Sequence, residues 1–174
     1  SISELFEDAR LYVGEQATIE NMSAHLANAG LLHLSTHATF RADNPMFSAL
    51  KMADGWLSVN DLYQIANMPP LVTLSACETG RYQVSTGDEL LGLSRGLLAS
   101  GARSIVVSLW MVEDKVTATL MTHFYAALQR GEEIHSALRS AQLTIKAENP
   151  HPYYWSAFVV IGDIRNPKEP EGVD

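Results

Sequence analysis

The chain has 174 residues, 47% of them hydrophobic, which suffices for one domain with a real core. A net charge of −8 and a pI near 5.1, with Lys and Arg scattered rather than striped, argue against nucleic acid as the partner. No apolar run reaches the ~18 residues of a membrane span, no secretory leader is visible, and the single cysteine, Cys77, allows neither an internal disulfide nor a thiolate zinc site.

In chain order, Arg10 to Val13 reads as a short strand. Thr18 to Ala29 reads as a helix with Thr18 as N-cap and Gly30 just past its end. Leu31 to Ser35 (LLHLS) is a strand. Asn44 to Leu57 holds two extended pieces joined through Asp54-Gly55, a hairpin signal. Ser58 opens a short helix over Val59 to Ala66, with Asp61 placed for a capping pattern, and Pro69-Pro70 end it. Leu71 to Ser75 (LVTLS) is a second apolar strand. Thr86 or Asp88 starts the helix DELLGLSRGLLAS, closed by Gly101. Ile105 to Leu109 is a third buried strand, Asp114 to Gln129 a helix ended by Gly131, Glu132 to Ala147 another, and Phe158 to Ile161 a last strand. Residues 166–174 (NPKEPEGVD) read as a disordered tail. Short apolar strands separated by helices predict an α/β fold whose mainly parallel sheet is covered on both faces.

Open α/β sheets place their sites beyond the carboxyl ends of the strands. Strand LLHLS runs into Thr36-His37, strand LVTLS into Ala76-Cys77, and strand IVVSL into Trp110 and the acidic pair Glu113-Asp114. If these strands are parallel, the only cysteine, a histidine and an acidic loop share one edge. A thiolate attacks a carbonyl and an imidazole handles the proton, while backbone N–H groups of the adjoining turns stabilise the oxyanion. The polar Glu78-Thr79-Gly80 that follows Cys77 suits a turn at such an edge. Each residue also has a structural reading: Cys77 as a buried inert thiol, His37 as a loop histidine, Asp114 as a helix cap. His33 and His37 stand four residues apart, but on a strand that is about 13 Å, too far to share a metal. No metal or other cofactor is expected.

Three segments, LHLSTH at Leu32 to His37, LVTLSACETG at Leu71 to Gly80 and GARSIVVSLWMVED at Gly101 to Asp114, together resemble the CHAT domain. This is a caspase-like peptidase domain often attached to tetratricopeptide repeats. LMTHFYAAL at Leu120 to Leu128, ALRSAQ at Ala137 to Gln142 and PYYWSAFVVIG at Pro152 to Gly162 fit it too. The resemblance implies a caspase-like three-layer sandwich and a His37–Cys77 dyad that hydrolyses peptide bonds through an acyl-enzyme. It implies the N–H groups of Ala38 and Cys77 as the oxyanion hole, and substrate contacts from Glu78, Trp110, Glu113 and Asp114. The stretch SLWMVED would line the pocket for the residue before the cleaved bond, its carboxylates favouring Arg or Lys. It further implies a protein substrate, control by an attached repeat or sensor domain, and bacterial regulated proteolysis; the single cysteine makes a reducing, cytoplasmic compartment the default.

Two departures stand out. The family usually has Gly after the histidine, where this chain has Ala38, and alanine is costly if φ is positive there. The family's domain also opens with a further strand and most of a helix, so residues 1–165 are expected to be a domain lacking its first strand, within a processed or longer polypeptide. The alternative function is a catalytically silent interaction module on the same fold.

Overall fold

The computed structural model describes residues 2–41, 43–78 and 87–167, except for the side chains of 76–78 and 87–91. Six strands form one sheet: β1 (Leu31–Thr39), β2 (Ala49–Met52), β3 (Gly55–Ser58), β4 (Leu71–Glu78), β5 (Ser104–Ser108) and β6 (Phe158–Gly162), in the spatial order β3-β2-β1-β4-β5-β6. The three central strands β1, β4 and β5 are parallel, and β2, β3 and β6 are added through antiparallel pairings. Four of the six strands thus run one way, which makes the sheet mixed and mainly parallel.

The central strand β5 shows why the sheet is buried on both faces. Ile105 and Val107 point into one core with Leu34, Leu74, Leu93 and Leu97. Val106 points into the other with Leu71, Phe124, Leu138 and Phe158. Successive side chains on a strand alternate faces, so a continuous apolar run serves both. The first core is covered by α2 (Val59–Leu62) and α3 (Gly87–Ala99), the second by α4 (Asp114–Gln129) and α5 (Ile134–Glu148). The result is helix, sheet and helix in three layers, the expected α/β sandwich. No helix among the described residues is long and apolar enough to cross a membrane.

Local chemistry explains where the elements begin and end. Ser58 N-caps α2 in a complete capping box: its Oγ accepts from Asp61 N (3.1 Å) and its own N–H donates to Asp61 Oδ2 (2.9 Å). The helix then stops at Leu62, short of the expected Ala66. Gly101 (φ 110) and Gly131 (φ 87) follow α3 and α4 in a backbone region that glycine tolerates. The hairpin turn falls on Ala53-Asp54, with Gly55 already inside β3. Of the two expected starts of α3, Thr86 lies outside the described residues and Asp88 is the helix's second residue.

Several expectations need correction. Arg10 to Val13 is not a strand; among the described residues it has no strand partner, and Leu11 and Val13 are exposed. The helix from Thr18 breaks into α1 (Ile19–Ser23) and a 3-10 turn at Leu26–Asn28. Thr18 does cap it, accepting from Asn21 N, but His25 Nδ1 lies 2.9 Å from the Asn21 carbonyl oxygen. A continuous helix would offer that oxygen to the His25 N–H, which turns instead to Met22 O. Gly30 accordingly lies outside the positive-φ set and caps nothing. Finally, β1 and β4 run past Ser35 and Ser75 to Thr39 and Glu78, because paired neighbours hold the polar residues STH and ACE in the ladder. Glu78, expected in a turn, is instead the last residue of β4; Thr79 and Gly80 lie outside the described residues. Asn166, placed at the start of the tail, is buried, its amide donating to Leu128 O and Glu132 O. Residues 168–174 of that tail lie outside the described chain.

Candidate functional site

The parallel register of β1 and β4 sets Ser35 beside Ser75, Thr36 beside Ala76, His37 beside Cys77 and Ala38 beside Glu78. Neighbouring strands are about 4.8 Å apart, so the backbones at 37 and 77 lie side by side. Both positions stand at the carboxyl ends of their strands, inside the last paired residues rather than in the turns beyond. Two chain segments 40 positions apart in sequence are thereby brought to one point on one edge.

His37 is exposed. It shares its side of β1 with Ser35 and His33, while Leu34 and Ala38 face the core beneath α3. Ala38 is only 1% exposed, and β1 changes partners here: it is the last position paired with β4 and the first paired with β2, opposite Leu50. Among the described residues the non-glycine with positive φ is Asn67 (φ 62). Ala38 thus sits in ordinary extended backbone, and its Cβ fills core rather than straining the chain.

The acidic segment leaves the sheet at the same edge. β4 and β5 stay in register to Leu74 and Val107, and β5 ends one residue later at Ser108. The segment 109–113 therefore departs at about the height where β4 carries 76–78. Glu113 is the N-cap of α4 and Asp114 its first residue, which corrects the reading of Asp114 as the cap. The Glu113 side chain makes no cap bond, and both carboxylates are exposed. Trp110 is half-buried against the α4–α5 core, and its Nε1 donates to Tyr153 O at 2.9 Å.

One polar cluster was not singled out from the sequence. His33 and Thr73 are register partners on β1 and β4, four residues before His37 and Cys77. Tyr125 of α4 bridges them: its hydroxyl donates to Thr73 Oγ1 (2.8 Å), and His33 Nδ1 lies 2.8 Å from Tyr125 Oη. With the hydroxyl's one proton spent on Thr73, Tyr125 Oη accepts from His33, which places the imidazole proton on Nδ1. Burial pushes the His33 pKa down to about 4 and raises that of the Tyr125 phenol. The tyrosine thus ties together the two strands that carry 37 and 77, at a depth too far from them to exchange protons. Among the described residues no three His, Cys, Asp or Glu side chains cluster as metal ligands would.

The family model described as the CHAT domain matches residues 1–163. The chain is also similar to Tetratricopeptide repeat protein 28 of Mus musculus and of Homo sapiens, each 25% identical over 193 residues. Those matches cover 86% of this chain and only 8% of each relative, so the chain spans a small part of the length of the curated proteins it resembles.

Proposed function

The chain belongs to the CHAT domain family, within the caspase-like cysteine peptidases, and on that premise we propose that it is an endopeptidase with Cys77 as nucleophile and His37 as general base. The observation that carries the reading is the register that sets His37 beside Cys77 on adjacent parallel strands. Nucleophile and base must come within hydrogen-bond reach, directly or through one water, and adjacent strand positions are the shortest route to that.

In this mechanism His37 takes the thiol proton as the sulfur attacks the scissile carbonyl carbon. The C=O electrons move onto oxygen, and the N–H groups of Ala38 and Cys77 are the proposed donors to that oxyanion. Collapse expels the amine, which receives the proton from His37 and leaves a thioester on Cys77. Water, deprotonated by His37, then attacks the thioester; the thiol is restored and the new carboxylate departs. Glu78, Trp110, Glu113 and Asp114 are the proposed substrate contacts. Exposed carboxylates at positions 113 and 114, on a segment leaving the same edge, favour Arg or Lys before the cleaved bond. The substrate is a protein. Control falls to an attached repeat domain, as the names of the mouse and human relatives suggest, and a single free cysteine suits a reducing, cytoplasmic setting.

The test is a peptide library incubated with the wild-type protein and with Cys77→Ala and His37→Ala. Each single variant is expected to lower cleavage by several orders of magnitude, and the double variant by no more, because the two groups act as a unit. Cleavage that survives either substitution overturns the proposal.

A further inference from the structure

The segment 109–113, between β5 and α4, is anchored at each of its residues, and much of the anchoring comes from one short stretch of chain. Leu109 N–H donates to Ala157 O at 2.7 Å. Trp110 Nε1 donates to Tyr153 O at 2.9 Å, and in return Tyr153 Oη donates to Met111 O at 2.6 Å. Val112 is buried, and Glu113 O accepts from Thr117 N at 2.9 Å to begin α4. Each side of the clamp therefore offers one side chain and one backbone carbonyl to the other.

Tyr153 belongs to α6 (Pro152–Trp155), a single turn too short to be stable alone. Neighbours hold that turn in place. His151 Nδ1 accepts from Tyr153 N (3.3 Å), Trp155 Nε1 donates to Pro150 O (3.2 Å), and Lys146 lies 4.8 Å over the Trp155 ring. Tyr154 and Trp155 pack against the core, whereas Tyr153 joins neither core cluster and remains 38% exposed. Its ring contributes little to core packing; its hydroxyl is spent on the Met111 carbonyl. Fixing that carbonyl fixes the peptide plane between 111 and 112. It does so while the Met111 side chain, 47% exposed, and the carboxylates of Glu113 and Asp114 stay turned to solvent.

We propose that Tyr153 is a positioning residue whose hydroxyl, through the Met111 carbonyl, holds segment 109–113 in the shape that receives the substrate chain. The inference rests on the peptidase reading for its substrate, and on the clamp geometry for the rest. A held loop loses less freedom on binding, so the effect falls on binding rather than on the chemical step.

The test is Tyr153→Phe in the intact polypeptide, which removes the hydroxyl and keeps the ring. Exchange of the Leu109 amide and of the Trp110 indole N–H, which donate to Ala157 O and Tyr153 O, should quicken about tenfold, as expected for the loss of one such hydrogen bond, with β5 and α4 unchanged. On a cleaved peptide KM should rise about tenfold, with kcat within about twofold and with the rate of Cys77 alkylation by iodoacetamide unchanged. Unchanged exchange at the Leu109 amide and the Trp110 indole overturns the clamp. Faster exchange with an unchanged KM, or a loss carried by kcat and alkylation instead, overturns the positioning role. Should the wild-type protein cleave nothing, the peptidase reading and the substrate role both fall, and exchange alone decides whether the clamp exists.

Discussion

Acid should unfold this domain through His33. The imidazole is half-buried where β1 meets α4, donating to Tyr125, and loss of solvent lowers its pKa from an ordinary 6.5 to about 4. Below pH 6.5 the unfolded chain takes up a proton that the folded chain refuses until about pH 4. Stability is therefore complete above pH 6.5, falls as pH drops through the window, and levels off below about 4 as far as this group is concerned. At 1.36 kcal/mol per pH unit the gap is worth about 3 kcal/mol, a large part of a typical 5–15 kcal/mol total. The carboxylates of Asp43 and Asp163, held to about 2 by Arg41 and Arg165, lose their contribution only below the ordinary carboxylate value of 3.8, outside that window. The assay is urea unfolding at pH 7 and pH 4.5 for wild type and for His33→Asn, whose amide can still donate to Tyr125. Wild type should lose roughly 2–3 kcal/mol more than the variant between the two conditions. A parallel loss in both proteins would refute the assignment of acid sensitivity to His33.

Gly162→Ala should be among the most damaging single changes: φ is +101, and an added Cβ would lie 2.2 Å from the Arg103 carbonyl oxygen. Strain and overpacking together imply about 3 kcal/mol or more, a fall in Tm of roughly 10 °C by calorimetry. Ser58→Ala removes the capping box of α2 and should cost about 1 kcal/mol in urea titration while leaving peptide cleavage unchanged, since Ser58 ends β3, the edge strand that β2 and β1 separate from β4. A cleaved peptide library should show Arg or Lys before the scissile bond, and Asp114→Asn should erase that preference. An apolar or acidic preference that survives the substitution leaves Asp114 only its place in the first turn of α4, where an acid suits the helix dipole.

The strands at the centre of the sheet were legible because burial on both faces demands an unbroken apolar run, as in Ile105 to Val107. Their ends were not. Ser35 to Thr39 and Ser75 to Glu78 are polar or small, and their extended state comes from cross-strand partners that local propensity does not encode. The break after Ser23 turns on one ring nitrogen of His25 reaching a backbone carbonyl, a contact that hydrophobic spacing cannot register. α6 is four residues long, and its aromatics read equally well as the approach to β6. The convergence of His37, Cys77 and the 109–113 segment followed from the rule that parallel strands share a carboxyl edge. The His33–Tyr125 contact joins residues 92 positions apart, and no spacing within α4 sets Tyr125 apart from its buried neighbours Phe124 and Leu128. What would have marked it is the coincidence of two polar residues, His33 and Thr73, at matching places in two otherwise apolar strands.

The central claim is that His37 activates Cys77, and a peptide carrying a thiol-reactive acyloxymethyl ketone tests it most directly. Intact-mass analysis should show one probe per chain, peptide mapping should place it on Cys77, and His37→Ala should slow labelling by at least a hundredfold with the fold unchanged by circular dichroism, in keeping with the ~10²–10⁴-fold that a positioned base contributes. Labelling at the same rate in His37→Ala, or no labelling of the wild-type protein by a peptide-directed probe, would contradict the account.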